Sequence, residues 1–315
     1  MRTVSGLVRG AFDWHRPLMW FAAFAAVVTV IAAVGLVVDD RVLVGAPIWA
    51  KPCKFAFSFG LYAVTWAWMH SLQRRHRRLG WYLGTFAAVA CALEVAVVLV
   101  QTLRGHRSHF NVSTTFDAFM WGIMGTSILV LWVANLIGTL LLMREKHAAR
   151  PVLLALRLGA VIAIIGMTLA FLMTWGTDEQ RANRPMAIIG AHSVGVRDGG
   201  PGMAVTGWST TGGDLRVPHF VGIHGLQLVP LFAVALGLFA IGELARIRLV
   251  WTFAGFYTGM LVLTGWQALR GQPFSSPDLL TIGAFGVLVA GTMVAATWAL
   301  RAVPARPSVP EEALV

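Results

Sequence analysis

Apolar residues run along this chain in blocks of about 20, separated by short stretches where charge, glycine and proline collect. A helix rises about 1.5 Å per residue, so a block of that length crosses roughly 30 Å of hydrocarbon. The pattern predicts eight spans: Leu18–Val38, Phe55–His70, Leu79–Gln101, Phe116–Met143, Val152–Trp175, His219–Leu244, Leu249–Leu269 and Leu279–Leu300. A transmembrane barrel would show alternating segments of about ten residues instead. The expected fold is therefore all-α, a polytopic transmembrane helical bundle forming one domain over residues 1–300. The proline-rich, charged stretch "VPARPSVPEEALV" reads as a flexible cytoplasmic tail over 301–315.

Between the spans, the longest connection runs from Gly176 to Pro218 and is rich in glycine and polar residues. "AHSVGV" and "MAVTGW" flank "RDGGPG", a pattern that predicts a hairpin, because Asp-Gly and Gly-Gly supply the positive φ of tight turns. One internal echo stands out. The third span ends "QTLRG" (Gln101–Gly105) and the seventh ends "QALRG" (Gln267–Gly271), and each is followed by an Asp, Asp117 or Asp278, at the next helix start. Four spans separate the two copies. This spacing predicts two parallel four-helix halves, 1–150 and 151–300.

Composition agrees with a membrane chain: 57% of residues are hydrophobic and only 12% charged, too few charges to cover a soluble domain of 315 residues. The net charge of +11 changes the picture through its placement. "QRRHRR", "REKHAAR", "ARIR" and "RAVPAR" fall on one side, with the N-terminal "MRTVSGLVRGAFDWHR", whereas the other side is nearly balanced. Both ends then lie in the cytoplasm, and the basic surplus faces anionic lipid headgroups rather than nucleic acid. Trp20, Trp81, Trp175, Trp251, Trp266 and Trp298 fall near span ends, where an amphipathic ring prefers the interface. The first apolar run is full length, so no cleavable leader is expected. Cys53 and Cys91 have no metal or redox spacing.

Candidate chemistry gathers on the outer side. Glu94 lies among apolar residues in "AVACALEVAVVLVQ", where an ionisable group is costly and faces the bundle interior; Gln101 shares its helical face. Lys51 and Lys54 in "WAKPCKF" start an outer helix end, against both the dipole and the positive-inside trend. "RGHRSHFNVSTTFD" adds Arg104 and His109, and the long connection adds His192 and Arg216. His219 and His224 are five apart, roughly 140° around an ideal helix, so they do not chelate one ion together. His224 and Gln227 share a face. Gly222 and Gly225 leave room for a helix or a flat ligand. Gln267 and Arg270 complete the set.

"WAKPCKFAFS", "RGHRSHFNVSTTFD", "GWSTTGGDLRVPHFVGIHGLQ" and "QALRGQPFSSPD" resemble motifs of a group of bacterial polytopic membrane proteins to which no activity is attached. The resemblance covers nearly the whole chain and implies a bacterial inner-membrane location. The zinc-dependent membrane hydrolases of the ceramidase and adiponectin-receptor type carry His-x-x-x-His in a late span; this chain has His219-x-x-x-x-His224.

These residues predict an outward-facing polar cavity lidded by Gly176–Pro218. In one reading Glu94, His109 and His224 are catalytic, and His109, His192, His219 and His224 ligate haem or a metal. Haem b is preferred to zinc because the histidines are dispersed and the glycines leave space for a plane. In a second, the protein is a transporter or lipid-handling protein. There Lys51, Lys54, Gln101, Arg104, Arg216, Gln227, Gln267 and Arg270 hold a small anionic or lipid-like ligand, and Glu94 exchanges a proton. A third is a non-catalytic assembly or sensor subunit. Oligomerisation is left open.

Overall fold

The computed structural model describes residues 10–183 and 185–301. It is a helical bundle of eight long helices: α1 (Arg16–Val38), α2 (Ala50–Leu72), α3 (Arg77–Arg104), α4 (Thr115–Met143), α5 (Arg150–Met173), α7 (Arg216–Leu236), α8 (Glu243–Leu269) and α9 (Leu279–Leu300). A short α6 (Asp178–Ala182) sits in the long connection. Two small antiparallel pairs, β1 (Val42–Leu43) with β2 (Ala46–Pro47) and β3 (Ser193–Val194) with β4 (Gly213–Asp214), lie between helices. The expected tail falls on 302–315, outside the described residues, except for Arg301.

Seven of the long helices are long and apolar enough to cross a membrane; α2 is the eighth. It is 23 residues long, but Lys51, Lys54, Ser58, Tyr62, Thr65 and His70 dilute its hydropathy. Both of its ends are nonetheless tied to opposite faces of the bundle. Lys54 donates to Thr206 O in the long connection (2.8 Å). At the other end the His70 ring stands edge-on to His15, 5.2 Å away.

Helix ends follow local chemistry. Pro17 and Pro151 open α1 and α5, where a missing N–H costs nothing. The Thr114 hydroxyl and the Asp278 carboxylate accept from the first turns of α4 and α9. Gly105 and Gly271 close α3 and α8 at φ 73° and 72°, the left-handed cap that glycine adopts at least cost. One boundary differs from expectation. The apolar stretch "GLFAIG" reads as part of a span running to Leu244, yet α7 stops at Leu236 and α8 begins at Glu243. Gly237 and Gly242 flank that link, and "ARIR", the expected connection, forms the first turns of α8.

Helices pack in the same order in both halves. First packs on second (α1 on α2, α5 on α7), second on third, third on fourth, and first on third; the halves meet where α4 meets α5 and α2 meets α7. One buried cluster, including Leu18, Ala63, Trp66, Cys91 and Leu131, fills the first half. Another, including Ile162, Val229, Val250 and Tyr257, fills the second. Leu142, Leu156, Ala163 and Leu226 join them.

The predicted hairpin takes another form. Ser193–Val194 of "AHSVGV" pairs with Gly213–Asp214 just ahead of α7, not with "MAVTGW". That second segment closes on itself, with Met203 N donating to Trp208 O (2.8 Å) and Gly207 N to Met203 O (2.8 Å). Glycine at 207 supplies the positive φ of 66° that the turn needs.

Candidate functional site

Four connections form one layer over the end of the bundle that carries most of the predicted site. Val112 N donates to Ala187 O (2.9 Å), Ile189 N to Phe110 O (2.8 Å), and Leu215 N to His192 O (2.9 Å). Gly190, at φ 114°, passes so close to Met173 O and the Phe110 ring that any Cβ would collide. Beneath this layer five predicted residues come together. Glu94 on α3 and Lys51 on α2 are near enough for their charges to act on one another. The charges of Lys51, His192 and His219 all reach His109.

Glu94 is fully buried, and neither carboxylate oxygen has a hydrogen-bond partner. Its place in the fifth turn of α3, between Cys91 and Val95, faces it inward because both neighbours belong to the first half's core. Lys51 extends over the Phe55 ring at 5.6 Å. His109 sits against Phe55 (5.4 Å), Phe110 (5.9 Å) and Trp121 (5.6 Å), and its Nδ1 lies 3.2 Å from Ser108 Oγ. Burial among these rings pushes the His109 imidazole well below its ordinary value, and Lys51 adds to the effect.

The long connection contributes a dyad that the sequence reading missed. Asp198 Oδ2 lies 2.8 Å from His192 Nδ1 and accepts from the backbone N–H of His192 (3.0 Å), while Oδ1 accepts from Ser193 N (2.8 Å). Burial works to raise the Asp198 carboxyl, but the His192 ring and these N–H groups outweigh it and hold it well below the usual carboxylate range. In the sequence Asp198 reads only as a turn residue of "RDGG"; no signal links it to a histidine six positions earlier.

The remaining predicted residues are placed differently. Arg104 donates to Asp117 Oδ1 (2.7 Å), and Gln101 donates to the same oxygen (2.8 Å), so both hold the start of α4. Arg216 is bound to Asp214 (2.5 Å) and Gly207 O (2.7 Å). Arg270 pairs with Asp278 (2.5 Å), and Gln267 donates to Pro273 O (2.8 Å). Lys54 is spent on Thr206 O. These six residues are expected as ligand groups; five of them, all but Lys54 on its loop carbonyl, clasp helix ends. The contacts of His224 run to Phe220 (ring centroids 4.3 Å), Gln227 and His219 rather than to Glu94, and its Nε2 is buried without a partner. His219 Nδ1 is anchored 2.8 Å from Gly166 O on α5.

The haem argument from glycine is overturned. The Gly222 and Gly225 faces of α7 are filled by α5: a Cβ on Gly166 would lie 2.5 Å from Gly222 Cα, and one on Gly159 would lie 2.6 Å from Gly225 O. Their smallness lets two helices touch. Among the described residues, no three His, Cys, Asp or Glu side chains are placed to hold a metal ion. The best-formed voids among the described residues lie at the end opposite the loop layer, lined by Trp66, His70, Gln73 and Glu145, and in a narrow cleft beside Gln267 and Gln272. Nor is that opposite end merely a set of basic anchors, since His15, His70 and Glu145 are all buried there. The chain matches no family model, no curated protein and no solved structure.

Proposed function

We propose that the protein is a proton-coupled membrane transporter for a small anion, with Glu94 and Lys51 as the exchanging pair. The observation that carries this reading is the fully buried Glu94 carboxyl, unpartnered at both oxygens, within electrostatic reach of an ammonium on α2. A structural ion pair would be closed by hydrogen bonds, because an unpaired buried charge is costly. A pair left open is suited to changing partners. With Glu94 ionised, Lys51 is neutralised internally; with Glu94 protonated, Lys51 is released to hold an external anion. One proton and one monovalent anion enter together, so the loaded and empty sites carry the same net charge and the cycle is electroneutral. Lys51 stands on α2, the helix of the first half that meets α7 of the other, along the seam where two rocking halves would alternate access. The bacterial inner membrane, with the basic face in the cytoplasm, is the location that the charge distribution supports.

Proteoliposomes loaded with a pH dye and challenged with acetate, lactate and phosphate test this. Anion-dependent acidification of the lumen, indifferent to membrane potential and abolished by Glu94→Gln, is the expected result. Proton movement that survives Glu94→Gln, or none with any of the three anions, overturns it. A second reading, a membrane enzyme using the His192–Asp198 dyad as general base, is favoured by the 2.8 Å separation of that pair. It predicts that His192→Gln, rather than Glu94→Gln, removes activity.

A further inference from the structure

The end of the bundle opposite the loop layer holds a second group of buried titratable side chains. Glu145 directly follows α4 and is 2% exposed. One carboxylate oxygen accepts from Arg75 N at 2.7 Å; the other, Oε2, is buried without a partner. Glu145 lines a cavity of about 20 Å³ together with Trp66, His70, Gln73, Gly80 and Gly138. That volume admits about one water molecule, and a water there needs two or more polar partners. Glu145, His70 and Gln73 supply them. The cavity exists because two of its walls are glycine. A Cβ at 80 would collide with the Gln73 amide, and one at 138 would press on the Trp66 ring at 3.3 Å.

His15 is bonded at both ring nitrogens, whereas His70 is bonded at one only. His70 Nδ1 lies 3.3 Å from Gln73 Oε1, and the ring stands edge-on to His15 at 5.2 Å. His15 in turn is fixed by Trp81, with Nε2 2.9 Å from its carbonyl oxygen and the rings stacked at 5.6 Å. Charge surrounds the group from every packed element. Arg77 at the start of α3 acts on His70, and Arg157 of α5 donates to Met143 O (3.1 Å) and Glu145 O (2.6 Å), closing the end of α4. With cations on two sides, a further metal or organic cation is disfavoured, and Glu145 repels anions. The ligand this chemistry accepts is a proton, carried by a single water.

We propose that the basic face holds a second proton-exchange site, a one-water cavity in which Glu145 Oε2 and the His70 ring share a mobile proton. It stands independently of the reading given to Glu94, although both sites lie along α2, α3 and α4. Between them the interior contains a further buried hydrogen bond, Asn135 Nδ2 to Tyr62 Oη at 2.7 Å.

Tryptophan fluorescence of the full chain in nanodiscs, titrated between pH 3 and pH 8, tests the site, because a protonated imidazole quenches a neighbouring indole. The expected result is a titration whose amplitude falls in Trp66→Phe and Trp81→Phe. Glu145→Gln, by removing the carboxylate that favours the imidazolium, lowers the midpoint by about half a unit or more. His70→Gln removes the transition while leaving helical content and size unchanged. A wild-type protein with no titration in this window overturns the proposal. So does a midpoint that Glu145→Gln leaves in place, or a transition that His70→Gln leaves intact. Anion uptake plays no part in the readout, so failure here is separable from failure of the transport reading.

Discussion

Lys51 and Glu94 differ in how much each can tolerate alone. Glu94 is sealed in the core, whereas Lys51 keeps some exposure. Lys51→Met removes the cation that acts on the buried Glu94 carboxyl and is expected to cost on the order of 1 kcal/mol. Glu94→Leu costs less, since the freed ammonium can shift toward water. The double variant is expected to recover most of the loss, because removing both partners of a buried pair is often neutral. Thermal unfolding of the four proteins in a double-mutant cycle measures the coupling. Asp198 makes a pH prediction of the opposite kind. Its folded carboxyl titrates below its unfolded value of about 3.9, so the stability it contributes is present above that value and is lost as pH falls beneath it. Hydrogen exchange of the 190–215 connection should hold steady down to about pH 4 and quicken below; in Asp198→Asn it should be fast at all pH values. Glu94 was legible in the sequence because one carboxylate among valines and alanines has no innocent explanation in a membrane. Asp198 was not, since a turn aspartate acquires its partner only when the loop folds.

Glycines divide the helices into contacts and open surface. Gly166 and Gly222 bring α5 and α7 into backbone contact, whereas a Cβ on Gly283 of α9 would meet nothing within 4 Å. Gly166→Ala should thus cost about 1–3 kcal/mol through overpacking, and Gly283→Ala should be neutral or stabilising by up to about 1 kcal/mol through helix propensity. Unfolding in detergent compares the two directly. Five of the eight helices were found in the sequence within three residues of both ends, because length and hydropathy define those spans; α2 and α8 begin five and six residues earlier than predicted, and α7 ends eight residues earlier. The α7–α8 break was missed for the same reason: "LFAI" between two glycines is as apolar as the spans it separates. The partners of the arginines were not legible, because each finds its carboxylate only across a helix boundary, as Arg104 does with Asp117.

At the scale of the molecule, the shared packing order of the halves was visible in the sequence only through "QTLRG" and "QALRG". The structure gives those echoes the same work. Gln101 and Gln267 each reach a carbonyl six residues on, and Arg104 and Arg270 each hold the aspartate that begins the next helix. Lys51, Glu94, His109, His192 and His219 lie toward the loop-layer end of the bundle, but polar burial is not confined to it. On the basic face, charged loops hid the buried His15, His70 and Glu145.

The two halves nevertheless part company at their fourth helix. α4 is held between α3 and α5, while α9 packs on α8 and buries almost none of its surface otherwise. Every helix that forms the Glu94 and Glu145 sites precedes α9 in the chain. Its job is then less to build the interior than to moor Arg248, whose guanidinium rests 4.0 Å over the Trp298 ring, and to present a broad greasy flank to the surrounding lipid.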